Sequence, residues 1–365
     1  MMPEVPIETL QARAFEVPTD RLEADGTISW SSTTLVLVEA VGGGKSGIGY
    51  TYTDRSAVGL VAGKLAGTVQ GKDAFAPQAA WLAMQRSVRN LGREGLAATA
   101  ISAVDAALYD LKARLMQVPL VQLLGSSRPA VPIYGSGGFT SYSDDGLTRQ
   151  LSGWVAEQGC RYVKMKVGSE PELDPHRVDV ARRAIGERAE LFVDANGAYG
   201  VKQALQLAGV FTRQGVTWFE EPVSSDDLRG LRAIRERAPP GMDVAAGEYA
   251  YTNDYVRRML EASAVDVQQA DLTRCGGVTG FLQAAAICDA YHVDLSGHCA
   301  PALHLHAACA VPRLRHLEWF HDHVRIEHLL FDGAPLARNG AIEPDLTRPG
   351  NGLIFKEADA ARYAV

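Results

Sequence analysis

Residues 162–168 read YVKMKVG, Tyr162 to Gly168. Two lysines, Lys164 and Lys166, interrupt an otherwise apolar, β-branched run. In a strand, successive side chains face opposite ways and residues two apart share a face. Both ammonium groups then point to one side, and Val163, Met165 and Val167 to the other. Two like charges aimed at one place need something there to hold them.

Seven similar apolar runs flank this one. In order the eight are VPIYGS (131–136), RYVKMKV (161–167), ELFVDAN (190–196), VTWFEEP (216–222), MDVAAGE (242–248), AVDVQQAD (264–271), HVDLSG (292–297) and LRHLEW (314–319). They lie roughly 20–30 residues apart with helical stretches between, and one βαβ unit takes about 30 residues. Eight such repeats make a barrel of parallel strands, typically ~250 residues. The last helix looks absent or displaced, because 325–365 is rich in Gly, Pro and Asn. The fold expected is therefore α/β, a (β/α)7β modified TIM barrel over residues 129–325. An α+β capping domain over 1–128 precedes it, and a tail, 326–365, returns to that cap.

Each run after the first carries a reactive polar residue near its C-terminal end: Lys164 and Lys166, Asp194, Glu220 with Glu221, Glu248, Asp271, His298 and Glu318. A parallel barrel gathers the C-terminal ends of its strands at one mouth, where active sites form. Asp194, Glu220 and Glu248 lie on neighbouring runs. Three converging carboxylates repel one another unless a cation compensates, and hard oxygen ligands favour Mg²⁺, with Mn²⁺ as an alternate. Adjacent strand residues face opposite sides, so Glu220 is the expected ligand and Glu221 its packed neighbour. A lysine beside such a dication and a second lysine has a lowered pKa and can serve as a base. Its partner stays charged and holds an anionic substrate group. Asp271 can fix the tautomer of His298 and make its other nitrogen a base or an acid. Glu318 either donates when protonated or orients a neighbour when ionised.

The first third reads as strands, then helices. Thr33–Val41 and Gly47–Thr53 are strands, and Thr99–Met116 a helix with apolar residues at helical spacing. Between the strands lies GGGKS (42–46). A phosphate-binding loop would need glycine where Glu39 stands, so a hairpin turn is expected. The polar segment Pro18–Ser32 reads as a loop folded over the mouth. Arg21 and Trp30 within it, with Asn196, Tyr249 and His321, are the candidate substrate contacts.

The chain of 365 residues has a net charge of −7 and no basic stripe, which argues against nucleic acid. No apolar run approaches the ~18 residues of a membrane span, and no signal peptide is visible at the start. Five cysteines without a C-x-x-C pair read as reduced thiols in a cytoplasmic protein.

The KxK, VDAN, EEP, GE, D…GGVTG, SGH and LEW motifs, in this order and spacing, resemble the mandelate racemase branch of the enolase superfamily (the mandelate racemase/muconate lactonizing enzyme family). The resemblance covers nearly the whole chain. It implies Mg²⁺ on Asp194, Glu220 and Glu248, and removal of the proton α to a carboxylate to give a metal-stabilised enediolate. Lys166 would be one base, and His298, oriented by Asp271, the base or acid on the other face. Lys164 would support the substrate carboxylate and Glu318 donate to it. It implies a small-molecule carboxylate substrate and a homo-oligomer. Dehydration of a sugar acid to a 2-keto-3-deoxy acid is the expected reaction. A racemase or epimerase of a 2-hydroxy acid is the alternative, and a non-catalytic sugar-acid binder a third. One departure is Arg274, where the muconate-lactonising and dipeptide-epimerase branch places a catalytic lysine. Arginine stays protonated and is a poor base, which weakens a cycloisomerase or dipeptide reading.

Overall fold

The computed structural model describes residues 4–365; the first three, where the first domain is expected to begin, lie outside them. Three antiparallel strands open the chain: β1 (Thr9–Ala24), β2 (Ser29–Gly42) and β3 (Lys45–Tyr52). Gly43 and Gly44, at φ +57° and +70°, turn β2 into β3. That is the left-handed two-residue hairpin glycine permits, so GGGKS is a turn. A helix, Leu96–Leu115, lies across this sheet and buries Ile101, Val104 and Leu108 against Val36 and Val38. It comes close because β3 carries glycines there. A Cβ on Gly47 would stand 2.2 Å from the Leu111 nitrogen, and one on Gly49 2.3 Å from the Ala103 oxygen.

The segment 18–32 is not a loop. β1 and β2 run through it as a long hairpin, in register as far as Pro18↔Ser32 and again from Glu23↔Trp30. The extra residues between form a bulge holding Asp20 and Arg21. The tip is closed by Asp25, whose Oδ1 accepts from the Thr27 and Ile28 nitrogens. It seats on the barrel: a Cβ on Gly26 would be 2.6 Å from Ala195 O and 2.7 Å from Val167 O.

Eight parallel strands then close a barrel: β4 (Val131–Gly137), β5 (Tyr162–Lys166), β6 (Glu190–Asp194), β7 (Val216–Glu220), β8 (Asp243–Ala246), β9 (Val267–Ala270), β10 (Asp294–Gly297) and β11 (Leu314–Phe320), with β11 pairing back to β4. Period-two alternation sorts their side chains. Val163, Met165, Val193 and Phe219 join the shell beneath the helices. Tyr134, Tyr162, Phe192 and Trp218 point inward and pack on one another as an aromatic plug. Two residues further along the same strands stand Ser136, Lys164, Asp194 and Glu220. The plug thus floors a charged layer.

A ten-residue helix, His321–Leu330, follows β11 directly. The composition of 325–365 gave no sign of it, because its helical face is short and polar. The expected division after residue 325 falls within this helix. Beyond it the chain does return to the cap. Arg13 and Glu357 form an ion pair at 2.7 Å, and the Val365 nitrogen donates to Ala14 O. Among the described residues no helix is long and apolar enough to cross a membrane. All five cysteines are free and buried.

Cap and barrel are also fastened by a shared helix end. The barrel helix Gly277–Ala290 has Gly276 before it and no capping side chain of its own. The cap helix supplies the acceptors: Ser102 Oγ takes the Gly276 N–H at 2.8 Å, and Asp105 takes the Thr279 N–H at 2.9 Å and its hydroxyl at 2.8 Å. Satisfying these orphan donors is ordinarily done from within the same segment. Burial pushes the Asp105 carboxyl up to about 7, outweighing both Thr279 donors. A carboxyl raised on folding contributes most below its ordinary pKa, and that contribution is lost as pH rises through 7. Between about pH 4 and 7, wild type should lose up to about 1.4 kcal/mol per pH unit relative to Asp105→Asn. Urea unfolding across that window measures it; parallel pH profiles would show that Asp105 is ionised throughout.

Candidate active site

The charged layer at the barrel mouth is almost wholly buried. Lys164 and Asp194 are fully enclosed; Lys166, Glu220, Glu221, Glu248, Asp271, His298 and Glu318 are each at most 5% exposed. Lys164 Nζ sits 2.5 Å from Glu220 Oε1, 2.9 Å from Glu318 Oε1 and 3.4 Å from Asp194 Oδ2. Lys166 Nζ is 2.5 Å from Asp194 Oδ2 and 3.1 Å from Asn196 Oδ1. His298 stands three strands from β5 one way round the barrel and five the other. Its Nδ1 meets Asp271 Oδ2 at 2.9 Å, and its Nε2 meets Glu248 Oε2 at 2.8 Å.

Asp194, Glu220 and Glu248 therefore share one layer but do not close on one point. Lys164 bridges the first two, and Glu248 turns to His298. No oxygen set from these three lies mutually within 4.8 Å. Glu221 departs from the expected alternation. It lies past the end of β7 at φ +36°, which swings it back toward the site. There it feels Glu248, Asp194 and Glu220, and its Oε1 has no partner. Asn196, Cys299 and Ala300 also have positive φ, at +46°, +53° and +40°. Left-handed backbone at non-glycine residues is costly and clusters where strand ends must re-aim side chains.

Six carboxyl groups face four basic ones, Lys164, Lys166, His298 and the half-buried Arg274. The imbalance is visible in their acidities. Burial, then Asp194, pushes Glu220 up to about 7, and burial with Glu248 holds Glu221 well above the carboxylate range. Asp194, Glu248, Asp271 and Glu318 are equally buried, but their cationic neighbours outweigh that and hold all four low. Glu318 is thus ionised and accepts, from Ser136 Oγ and the Cys299 nitrogen, rather than donating. Burial presses both lysines down, yet the acids around them, Glu220 and Glu318 for Lys164 and Asp194 for Lys166, leave both raised. His298 is likewise raised despite burial. Two surplus buried acids on hard oxygen donors are what a divalent cation neutralises, so the residues present fit Mg²⁺ or Mn²⁺.

The layer opens into a cavity of about 450 Å³ beneath the hairpin tip, ample for a small organic acid. Lys166, Asn196, Glu248, Tyr249, His298 and Glu318 line it, with Trp30 from the hairpin. Arg21 and His321 do not. The bulge carries Arg21 outward over the Tyr142 ring at 5.7 Å, and His321 Nε2 faces Asp20 at 3.2 Å. Arg274, Tyr52 and His323 also line the cavity. Arg274 holds 3.6 Å from Asp271 and 3.9 Å from Glu248. The Tyr52 and His323 rings stack at 3.5 Å. Tyr52 comes from the cap and His323 from the barrel, and the closure of one on the other brings the two rings together.

The chain matches family models over most of its length. Residues 13–125 match the mandelate racemase / muconate lactonizing enzyme N-terminal domain, and 146–359 the enolase C-terminal domain-like family. The chain belongs to the mandelate racemase/muconate lactonizing enzyme family of the enolase superfamily. A mandelate racemase/muconate lactonizing enzyme-like protein from Rubrobacter xylanophilus superimposes with a TM-score of 0.97 at 53% identity, over 99% of this chain and 100% of that one. A Streptomyces coelicolor racemase with bound magnesium gives 0.92 at 30%, over 98% and 100%. A 3,6-anhydro-α-L-galactonate cycloisomerase from Streptomyces coelicolor is 34% identical over 88% of this chain and 89% of its own length. The L-talarate/galactarate dehydratase of Salmonella typhimurium is 29% identical over 80% and 74%.

The imidazole of His298 should stay cationic at neutral pH, and Asp271→Asn should lower its pKa toward the ordinary histidine value. Histidine-selective ¹⁵N NMR titration measures both. An unchanged titration in the variant would mean that Asp271 does not govern the charge on this ring.

Proposed function

We propose that the chain removes the proton α to the carboxylate of a sugar acid and eliminates the C3 hydroxyl as water, giving a 2-keto-3-deoxy acid. The observation that carries this is the placing of Lys166 and of His298, the latter bonded to Asp271, in one cavity, on different sides of a buried acid-rich layer. Asp194, Glu220 and Glu248 would hold Mg²⁺, or Mn²⁺ in its place. Such an ion, when bound, draws charge from the substrate carboxylate and lowers the cost of α-proton removal. Burial and Lys164 press the Lys166 ammonium toward the neutral amine, and Asp194, which holds it charged, would share its own charge with that ion. Lys166 can then take the α-proton. Lys164, held by Glu220 and Glu318, stays charged and faces the developing anion. His298 gives its proton to the departing C3 oxygen, so the C2–H and C3–O bonds break, water leaves and the enol becomes a ketone. The hairpin tip over the cavity excludes bulk water during these transfers.

Two features favour neighbouring readings. A cationic imidazole facing a neutral lysine across C2 also permits 1,1-proton transfer, the racemase or epimerase reading. The similarity to an anhydro-sugar cycloisomerase favours a ring oxygen as the leaving group, by the same C2–H removal. The chemistry differs only in what His298 protonates.

A panel of mono- and diacid sugars incubated with Mg²⁺ in D₂O separates these. A 2-keto product identifies elimination; deuterium at C2 without a keto product identifies racemisation; neither, with binding retained, leaves a sugar-acid binder. Lys166→Ala should lower the rate by about 10³-fold, and a variant with full activity would remove the assigned base. Asp194→Asn should weaken Mg²⁺ binding by calorimetry, with activity lost to EDTA and restored by Mg²⁺.

A further inference from the structure

A second group of metal-ligating side chains lies outside the catalytic layer, where the hairpin meets the barrel rim. Asp20 and Glu23 come from the β1 bulge, and His321 opens the helix after β11. One ligand atom of each lies within 4.8 Å of the others. Asp20 and Glu23, three apart, would face opposite sides of a regular strand; the bulge turns both toward His321. Glu23 is the unusual member. It is 0% exposed. Trp30 Nε1 donates to its Oε2 at 2.9 Å, while its Oε1 is buried with no partner. Asp322, also buried, adds a further acid beside it, and Arg325 is committed to Asp322 and Pro18 O. A carboxylate oxygen buried without a donor is costly, and the Trp30 bond to Oε2 and the charge of Arg325 answer it only in part.

We propose that Asp20, Glu23 and His321 bind a divalent transition ion of the Zn²⁺ class, which clips the hairpin to the rim of the barrel. One imidazole with two carboxylates is a borderline-soft donor set, distinct from the all-oxygen set expected to hold Mg²⁺. Zinc–ligand bonds of about 2.0–2.2 Å place tetrahedral ligand atoms roughly 3.4 Å apart. His321 Nε2 and Asp20 Oδ2 already stand at 3.2 Å, so only Glu23 must close in. Half-exposed Asp20 and His321 give the ion a route from solvent. Because Trp30 lines the catalytic cavity and bonds to Glu23, occupancy would stiffen one wall of that cavity. The site does not depend on which reaction the cavity performs.

The test uses the full chain, stripped with EDTA, held in excess Mg²⁺, exposed to Zn²⁺ and desalted. Wild type should retain one zinc per chain by mass spectrometry, and Zn²⁺ should raise its melting temperature. His321→Ala and the isosteric Glu23→Gln should fold in zinc-free buffer yet bind zinc weaker by about tenfold or more, and lose the thermal shift. The other mixed cluster, His298, Cys299 and Glu318, is the rival zinc site, so Cys299→Ser is the control and should leave retention unchanged. No retained zinc in wild type, equal retention in His321→Ala, or loss in Cys299→Ser alone would each overturn the proposal.

Discussion

Burying an acid without a countercharge costs several kcal/mol, and the mouth of this barrel buries six of them against four bases. Every other feature of the site answers to that imbalance. Lys164, wedged among Glu220, Glu318 and Asp194, is the nearest cation to the first two of these acids. His298 is gripped from both nitrogens. The two acids without enough cationic neighbours, Glu220 and Glu221, are those whose carboxyls are driven up. An arrangement of this kind does not arise for stability, since apolar residues would fill the space at less cost.

The strand period builds the arrangement from sequence. Tyr162, Lys164 and Lys166 share one face of β5, as Phe192 and Asp194 do on β6 and Trp218 and Glu220 on β7. Each strand lays an aromatic ring at the floor and a charge two residues above it. The rings exclude water from below, which strengthens the electrostatics overhead. Register fixes this tightly, because a slip of one residue would send the charges into the helix shell.

That regularity is why so much was legible. The KxK spacing and the acids ending successive runs needed only alternation and a parallel barrel to bring them to one mouth. The reading failed where the backbone departs from the regular. Alternation placed Glu221 away from the site, but its positive φ returns it. The segment 18–32 looked like a loop because it is polar, whereas both its strands are paired. Its bulge then carries Arg21 and His321's partner Asp20 to the outer rim rather than the cavity. Tyr52 reaches the cavity only through the meeting of two domains, which no local pattern encodes. The helix His321–Leu330 escaped notice because it is short and polar.

The union of cap and barrel has one more implication. The cap helix lies against backbone at Gly47 and Gly49, and Ser102 and Asp105 terminate a helix belonging to the other domain. Swinging the first domain aside as a rigid flap would uncap that barrel helix and tear the tail from β1. Of the cap elements around the cavity, the outer arm of the β1–β2 hairpin, beyond its irregular register at residues 18–23, is the one that could shift while its base stays anchored.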